Sequence, residues 1–289
     1  MRTEVAQAIE LLKSETPDAM DRALALLQQT IFSFSMRVCQ QREDAEDTMQ
    51  DVLVKSLPLL SRFENPKALL VWLYKVAKSR CLMSRRKSKF APQQELSLEE
   101  LMPHRAELAA LAQGGGINPE SFAIHSQEAQ GLREALQKLP PHYRIVLVLR
   151  DMEDLTDDEV AEITGLRTGT VRVRLHRARL FVRRELSKRW KPASPGMVKT
   201  IQTEVRPNRC KALFAELSNY VDEQLDDSMC EKLQKHMDGC EPCKAFLASL
   251  QATIEECRKI PADCLNSKQA AKLRKQLLDR LKQISAIPK

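Results

Sequence analysis

Aromatic residues make up only 4% of the 289-residue chain, and glycine occurs just 8 times. Strands draw on aromatic and β-branched side chains, so this scarcity argues for helices over sheets. No apolar run approaches the roughly 20 residues that span a bilayer, which argues against a membrane protein. The N-terminus, MRTEVAQAIELLKSE, carries Glu4 and Glu10 and lacks the apolar core of a secretory signal. Cysteine is nearly absent from the first two thirds of the chain: only Cys39 and Cys81 precede residue 200, and the other six lie between 210 and 264. That clustering favours metal or redox chemistry over a disulfide framework. The expectation is a soluble, cytoplasmic protein.

Hydrophobic residues reach 43%, enough for packed cores, and the length allows two or three small domains. The net charge of +7 fits a polyanionic partner only if the positive residues cluster. Residues 4 to 90 are nearly all helical in pattern. One segment, about Asp21 to Gln40, repeats Leu24, Leu27, Ile31 and Phe34 at helical spacing. Another begins near Asp44. A third opens with Asn65 as cap and Pro66 in the first turn. Residues 91 to 127 contain Pro92, Pro103, Pro119 and Gly114-Gly115-Gly116 and read as a linker, with a short helix at 97 to 111. A second helical block covers 128 to 190, a Pro-containing linker 191 to 207, and a last block, 208 to 289, holds the cysteine cluster and a final amphipathic helix.

The charge does cluster. Between Arg167 and Lys191 there are ten Arg or Lys and one Glu. Just before them stands the grammar of a helix-turn-helix. Thr156 and Glu159 are spaced for a capping box. Val160, Ala161 and Ile163 supply an inner face, and Gly165 sits where a tight turn wants positive φ. A second helix begins near Thr168. At about 100° per residue, Val171, Leu175, Ala178 and Val182 share one narrow core face. The opposite face carries Gly169, Val173, His176, Arg177, Leu180 and Arg184, flanked by Arg172, Arg179 and Arg183. Arginine bonds guanine edges in bidentate fashion and phosphate by charge-assisted bonds, so this pattern points to DNA rather than to a merely solvated face.

In the helix near Asp44, Ala45, Met49, Val52 and Ser56 share one face, while Asp47, Gln50, Asp51 and Val54 share the other. Helix-dipole pairing accounts for Glu43, Asp44 and Glu46 at its start, but not for Asp47, Gln50 and Asp51 one turn further in.

DAEDTMQDVLVKS, then ALLVWLYKVAKSRCLMSRRK, then LQKLPPHYRIVLVLRDMEDLTDDEVAEITGLRTGTVRVRLHRAR together resemble a bacterial RNA polymerase sigma factor of the small extracytoplasmic-function (ECF) group, over about residues 20 to 190. The resemblance implies an all-α chain with two helical domains, a bundle and a helix-turn-helix, joined by a linker. It implies that Asp47, Gln50 and Asp51 grip the clamp coiled coil of core RNA polymerase. Lys75, Lys78 and Arg80 would meet the melted promoter strand, while Trp72 leans towards the core. Arg172, Val173, His176 and Arg177 would face bases of the upstream promoter element. This chain departs from the family where Asn and Asp are common: Ser79 and Met83 stand there, which puts promoter choice and melting in question. The linker at 91 to 127 is also longer than the group's usual one.

The last block contains HMDGCEPC. His236, Cys240 and Cys243 supply three of the four ligands of a closed zinc site. The thiolates gain from lying at a helix start. The fourth is Cys210 or Cys230. Cys230 lies six residues before His236 on the same helix and points about 120° away, so Cys210 is the better choice. The set Cys210, His236, Cys240 and Cys243 resembles that of zinc-containing anti-sigma domains, leaving Cys230, Cys257 and Cys264 unligated. The expected cofactor is Zn2+.

Residues 207 to 264 hold eleven Asp or Glu against seven Lys or Arg, a charge suited to docking on basic sigma surfaces. The tail repeats Leu273, Leu277, Leu281 and Ile284 on one stripe; it either wraps the sigma domains, as the resemblance implies, or completes the zinc domain's core. The expected partners are core RNA polymerase, promoter DNA, and the chain's own zinc domain on its sigma domains; no membrane is involved. No catalytic residue is expected. The zinc domain would inhibit the sigma domains until a redox, metal or partner signal loosens it, fusion holding it at about millimolar local concentration. Alternatively it is a positive or docking element. A zinc enzyme acting on nucleic acid is disfavoured, because His236-Met237-Asp238 lacks the H-x-E acid/base pattern of deaminases.

Overall fold

A computed structural model describes residues 3–14, 16, 18–84, 95–103, 107–108, 111, 126–188, 210, 213–261 and 264–285. Its helices in chain order are α1 (Thr3–Lys13), α2 (Ala19–Cys39), α3 (Arg42–Ser56), α4 (Pro66–Ser84), α5 (Leu98–Leu101), α6 (Ser126–Lys138), α7 (Pro141–Leu147), α8 (Asp157–Thr164), α9 (Thr168–Ser187), α10 (Leu217–Val221), α11 (Asp227–Asp238), α12 (Glu241–Lys259) and α13 (Ser267–Ser285). A 3-10 turn spans Leu57–Arg62 and a π-helical turn Val148–Met152. No strand occurs among the described residues, so the chain is all-α. None of these helices is long and apolar enough to cross a membrane. The predicted linker at 191 to 207 lies outside the described residues, as does most of 91 to 127. The helix expected at 97 to 111 is described only as α5 and fragments.

The chain divides into two compact units. The first combines residues 1–92, 148–166 and 261–289; the second combines 93–147 and 167–260. These units cut across the blocks expected from the sequence. Segment 148–166 leaves the helix-turn-helix block to join the first unit, and the tail leaves the zinc block.

In the first unit, α1 to α4 form a bundle. Leu24, Leu27, Ile31 and Phe34 of α2 are fully buried, as their spacing predicts. Burying each is worth about 1.5–3 kcal/mol. Phe34 stacks on Tyr74 of α4 with ring centroids 4.3 Å apart. Helix α4 starts where Asn65 and Pro66 place it, the Asn65 side chain accepting from the Lys67 amide at 2.8 Å. Segment 148–166 is held by a buried ion pair. Arg37 Nη1 donates to Glu153 Oε1 at 2.8 Å, and Tyr74 donates its hydroxyl proton to the other carboxylate oxygen.

Helix α13 packs on α2 and α3 of this unit because its stripe finds apolar cover there: Leu277 is buried. Arg274 donates to Asp21 at 3.2 Å and to Gln28 at 3.1 Å, and Gln28 donates to the Ala270 carbonyl at 3.3 Å. The side chains of Leu281 and Ile284 lie outside the described ones.

In the second unit, α9 is the central helix, packed by α5, α6, α7, α10 and α12. The buried Arg144 guanidinium closes the end of α6, donating to the carbonyls of Leu136, Gln137 and Leu139 at 2.6, 2.8 and 2.7 Å. Those carbonyls are among the groups a helix C-terminus leaves unpaired.

Candidate functional site

Helix α8 begins with the expected capping box. Thr156 Oγ1 accepts from the Glu159 amide at 3.3 Å, and Glu159 Oε2 accepts from the Thr156 amide at 2.7 Å. Such a cap is worth about 1 kcal/mol. The helix ends at Gly165, whose φ of 73° places it in the left-handed region. Any side chain there is strained, although nothing crowds the position.

Helix α9 buries the expected core face of Val171, Leu175, Ala178 and Val182. Its other side departs from the sequence reading. Val173 is 50% exposed, and Arg172 and Arg177 are half-buried, but His176 is only 6% exposed and Leu180 is fully buried. Periodicity expects these two on an open face. Other elements of the same unit cover them.

The covering contacts are polar and specific. His176 Nδ1 lies 2.8 Å from the Ser218 hydroxyl of α10. Burial, then the Arg179 and Arg177 charges, push the His176 imidazole down to about 4, so it is neutral at pH 7. Arg179 makes a bidentate pair with Asp222 at 2.7 and 2.9 Å, the two side chains 1% and 3% exposed. Arg183 lies over the Phe246 ring of α12 at 3.9 Å, donates to Ser249 at 3.3 Å, and pairs with Glu107. Buried guanidinium groups need such partners, because an unpaired charge there is expensive. Sequence reasoning missed Ser218 and Asp222 individually; the acidic excess of the last block was the only signal for Asp222, and Ser218 had none.

On α3, Asp47 is exposed and Gln50 and Asp51 are half-buried. Gln50, Asp51 and Val54 line one wall of a groove whose other wall is Leu273, Gln276, Leu277 and Asp279 of α13. Asp51 pairs with Arg80 of α4 at 2.8 Å, both about 44% exposed. Lys75 is exposed. Lys78 donates to the Ile163 and Thr164 carbonyls at the end of α8, at 2.8 and 3.2 Å. Burial, then neighbouring Lys75, lower its pKa. Trp72 is half-buried, tilted against Phe63 at 6.0 Å. Met83 is 59% exposed and Ser79 is exposed.

The sulfur and nitrogen ligand atoms of Cys210, His236, Cys240 and Cys243 all lie within 4.8 Å of one another. Cys210 Sγ is 3.6 Å from His236 Nε2. A tetrahedral zinc with bonds of roughly 2.3 Å to sulfur and 2.0 Å to nitrogen separates two such ligands by about 3.5 Å. The positioning is local. His236 lies in the last turn of α11, the Gly239 amide donates to the His236 carbonyl at 3.2 Å, and Cys240 stands just before α12. In the same segment Leu233, Phe214, Leu217, Phe246 and Leu250 are buried, the Phe214 and Phe246 rings 4.5 Å apart. Burial, then the Cys240 and Cys210 thiols, push the Cys243 thiol well up. Three thiols this close ionise together only around a cation, so the donor set fits a structural zinc. Cys230 stays outside the cluster, its sulfur 3.9 Å from the Leu225 carbonyl.

The family described as "Sigma-70 region 2" matches residues 24–90, and "Sigma-70, region 4" matches residues 129–182. The "Putative zinc-finger" family matches residues 210–244. The RNA polymerase sigma factor YlaC of Bacillus subtilis is 30% identical over 160 residues, covering 55% of this chain and 87% of that protein. The chain belongs to the ECF sigma factors of the sigma-70 family. The ECF RNA polymerase sigma factor SigW of the same organism is 25% identical over 186 residues, 64% of this chain and 98% of its own length. The RNA polymerase sigma-H factor of Pseudomonas aeruginosa is 24% identical over 176 residues, 60% of this chain and 89% of its own. Sigma factors are not enzymes, which removes the zinc-enzyme alternative. This sigma factor carries the zinc-finger match beyond both sigma regions.

Proposed function

We propose that this sigma factor directs promoter-specific initiation by core RNA polymerase in the cytoplasm, and that its zinc-bearing C-terminal block restrains it until a redox, metal or partner signal arrives. In this reading Asp47, Gln50 and Asp51 bind the polymerase clamp. Lys75, Lys78 and Arg80 meet the melted strand. Arg172, Val173, His176 and Arg177 read the upstream element in the major groove. Cys210, His236, Cys240 and Cys243 hold Zn2+ and with it the fold of the block.

One observation carries the restraint: the Arg179–Asp222 pair and the His176–Ser218 contact bury a face of α9 that DNA reading needs open. A helix cannot lie in the groove and keep these partners. Two further features favour the same reading. Lys78 is spent on the end of α8, and α13 lies along the groove beside Gln50 and Asp51.

Transcription from a cognate promoter by core polymerase, with residues 1–195 against the full chain, tests this. Restraint expects output to rise on truncation, and to rise in the full chain carrying Asp222→Ala. If truncation lowers output, the C-terminal block is a positive element and the restraint reading is wrong.

A further inference from the structure

We propose that Cys39 and Cys81 form a reversible oxidation site in the N-terminal bundle, a two-electron thiol–disulfide pair separate from the zinc cluster. The two sulfurs are bonded, with Cα atoms 5.4 Å apart and the two residues 42 positions apart in sequence. They are the only cysteines before residue 200. Thr48 of α3 has its hydroxyl 3.9 Å from Cys39 Sγ and 3.7 Å from Cys81 Sγ, so the link sits where α2, α3 and α4 meet.

The inference rests on the reading that the chain serves RNA polymerase, and therefore works where thiols are held reduced. A disulfide in that compartment is transient and redox-sensing rather than a permanent staple. Both cysteines are almost fully buried, which protects a thiol from casual oxidation. Yet Cys39 is the last residue of α2 and Cys81 lies in the last turn of α4. Helix ends open locally at the least cost, and that opening admits a small oxidant or a reducing dithiol. Arg80, next to Cys81, pairs with Asp51, so the bond fixes the part of α4 that carries Lys78 and Arg80.

The chemistry balances with a hydroperoxide. One thiolate attacks the peroxide O–O bond to give a sulfenic acid and hydroxide, which takes up a proton to become water. The second thiol then displaces the sulfenic oxygen as a second water, so two thiols and one peroxide give one disulfide and two waters. A dithiol reverses this by exchange and is itself oxidised to its disulfide.

The test uses the full zinc-loaded chain without polymerase or DNA, so its outcome is independent of the truncation experiment. The folded protein is reduced with dithiothreitol, freed of it, and exposed to one equivalent of hydrogen peroxide. It is then denatured, alkylated, digested and weighed. The expected result is a Cys39–Cys81 linked peptide that vanishes on reduction and returns with peroxide while zinc stays bound. The Tm of the oxidised form should exceed that of the reduced form by about 5 °C, and Cys39→Ser should abolish the difference. Alkylated Cys39 and Cys81 after peroxide would overturn the proposal. So would a linked peptide that resists dithiothreitol in the folded protein, or zinc lost before the link forms.

Discussion

The two sigma regions treat their charges in opposite ways. In the first unit the face formed by α3 and α4 keeps Asp47 and Lys75 exposed, and pairs Asp51 with Arg80 only where both are half in water. In the second unit α9 sends Arg179, Arg183 and His176 inward, Arg179 against Asp222 and His176 against Ser218, partners that solvent barely reaches. A half-exposed pair is worth little and exchanges readily for a new partner. A buried bidentate pair exchanges only if its whole surroundings open. On the proposed reading, polymerase would take the first face with little rearrangement, whereas DNA would first have to displace what covers the second.

Removing the metal should break this comparison most completely. Chelation, or Cys240→Ser, is expected to unfold the small core around Phe214 and Phe246, since structural zinc sites contribute on the order of 10 kcal/mol. Zinc content and calorimetry check this; unchanged zinc in Cys240→Ser would defeat the ligand assignment. Next in size, Asp222→Ala strands the buried Arg179 and should cost about 3–5 kcal/mol of stability in the second unit. Urea melts followed by circular dichroism measure it, and a loss below about 1 kcal/mol would mean the pair is solvated.

Acid should act on the same contact more gently. His176 stays neutral in the folded protein down to about pH 4, while the unfolded chain takes up its proton near pH 6.5. Its contribution to stability is therefore complete above about pH 6.5 and is lost progressively as the pH falls towards 4. His176→Gln should flatten that part of the stability–pH curve, as read from Tm against pH. The smallest effect belongs to the first face. Arg80→Ala should change stability by about 0.5 kcal/mol or less, whereas promoter-strand affinity should fall and lose part of its salt dependence. A Tm shift as large as that of Asp222→Ala would erase the contrast between the two regions.

Much of this architecture is legible in local signals. Thr156, Glu159 and Gly165 mark α8 because a cap and a left-handed turn depend on residues three or four apart. The H-x3-C-x2-C run marks the Cys/His cluster because helix-end geometry brings its three side chains together. Other features had no local signal. The tie between Arg37 and Glu153 joins residues 116 apart, and nothing near either one announces it. Ser218 is 42 residues from His176, so the helical wheel could only leave that histidine on an outer face. Leu277 announced an apolar stripe without naming α2 and α3 as its cover.

By itself, then, the sequence determined the longer helices, the cap of α8, the charge borne by α9 and the H-x3-C-x2-C part of the Cys/His cluster, all of which follow from periodicity and short-range spacing. Tertiary structure alone decided which charges lie under cover, where α13 packs, and that Cys39 and Cys81 meet. A helical period states which residues share a face, but the dielectric and partner that a face meets come from segments far away in the chain. Those distant segments set whether an arginine here is a ligand for DNA or an anchor within the fold.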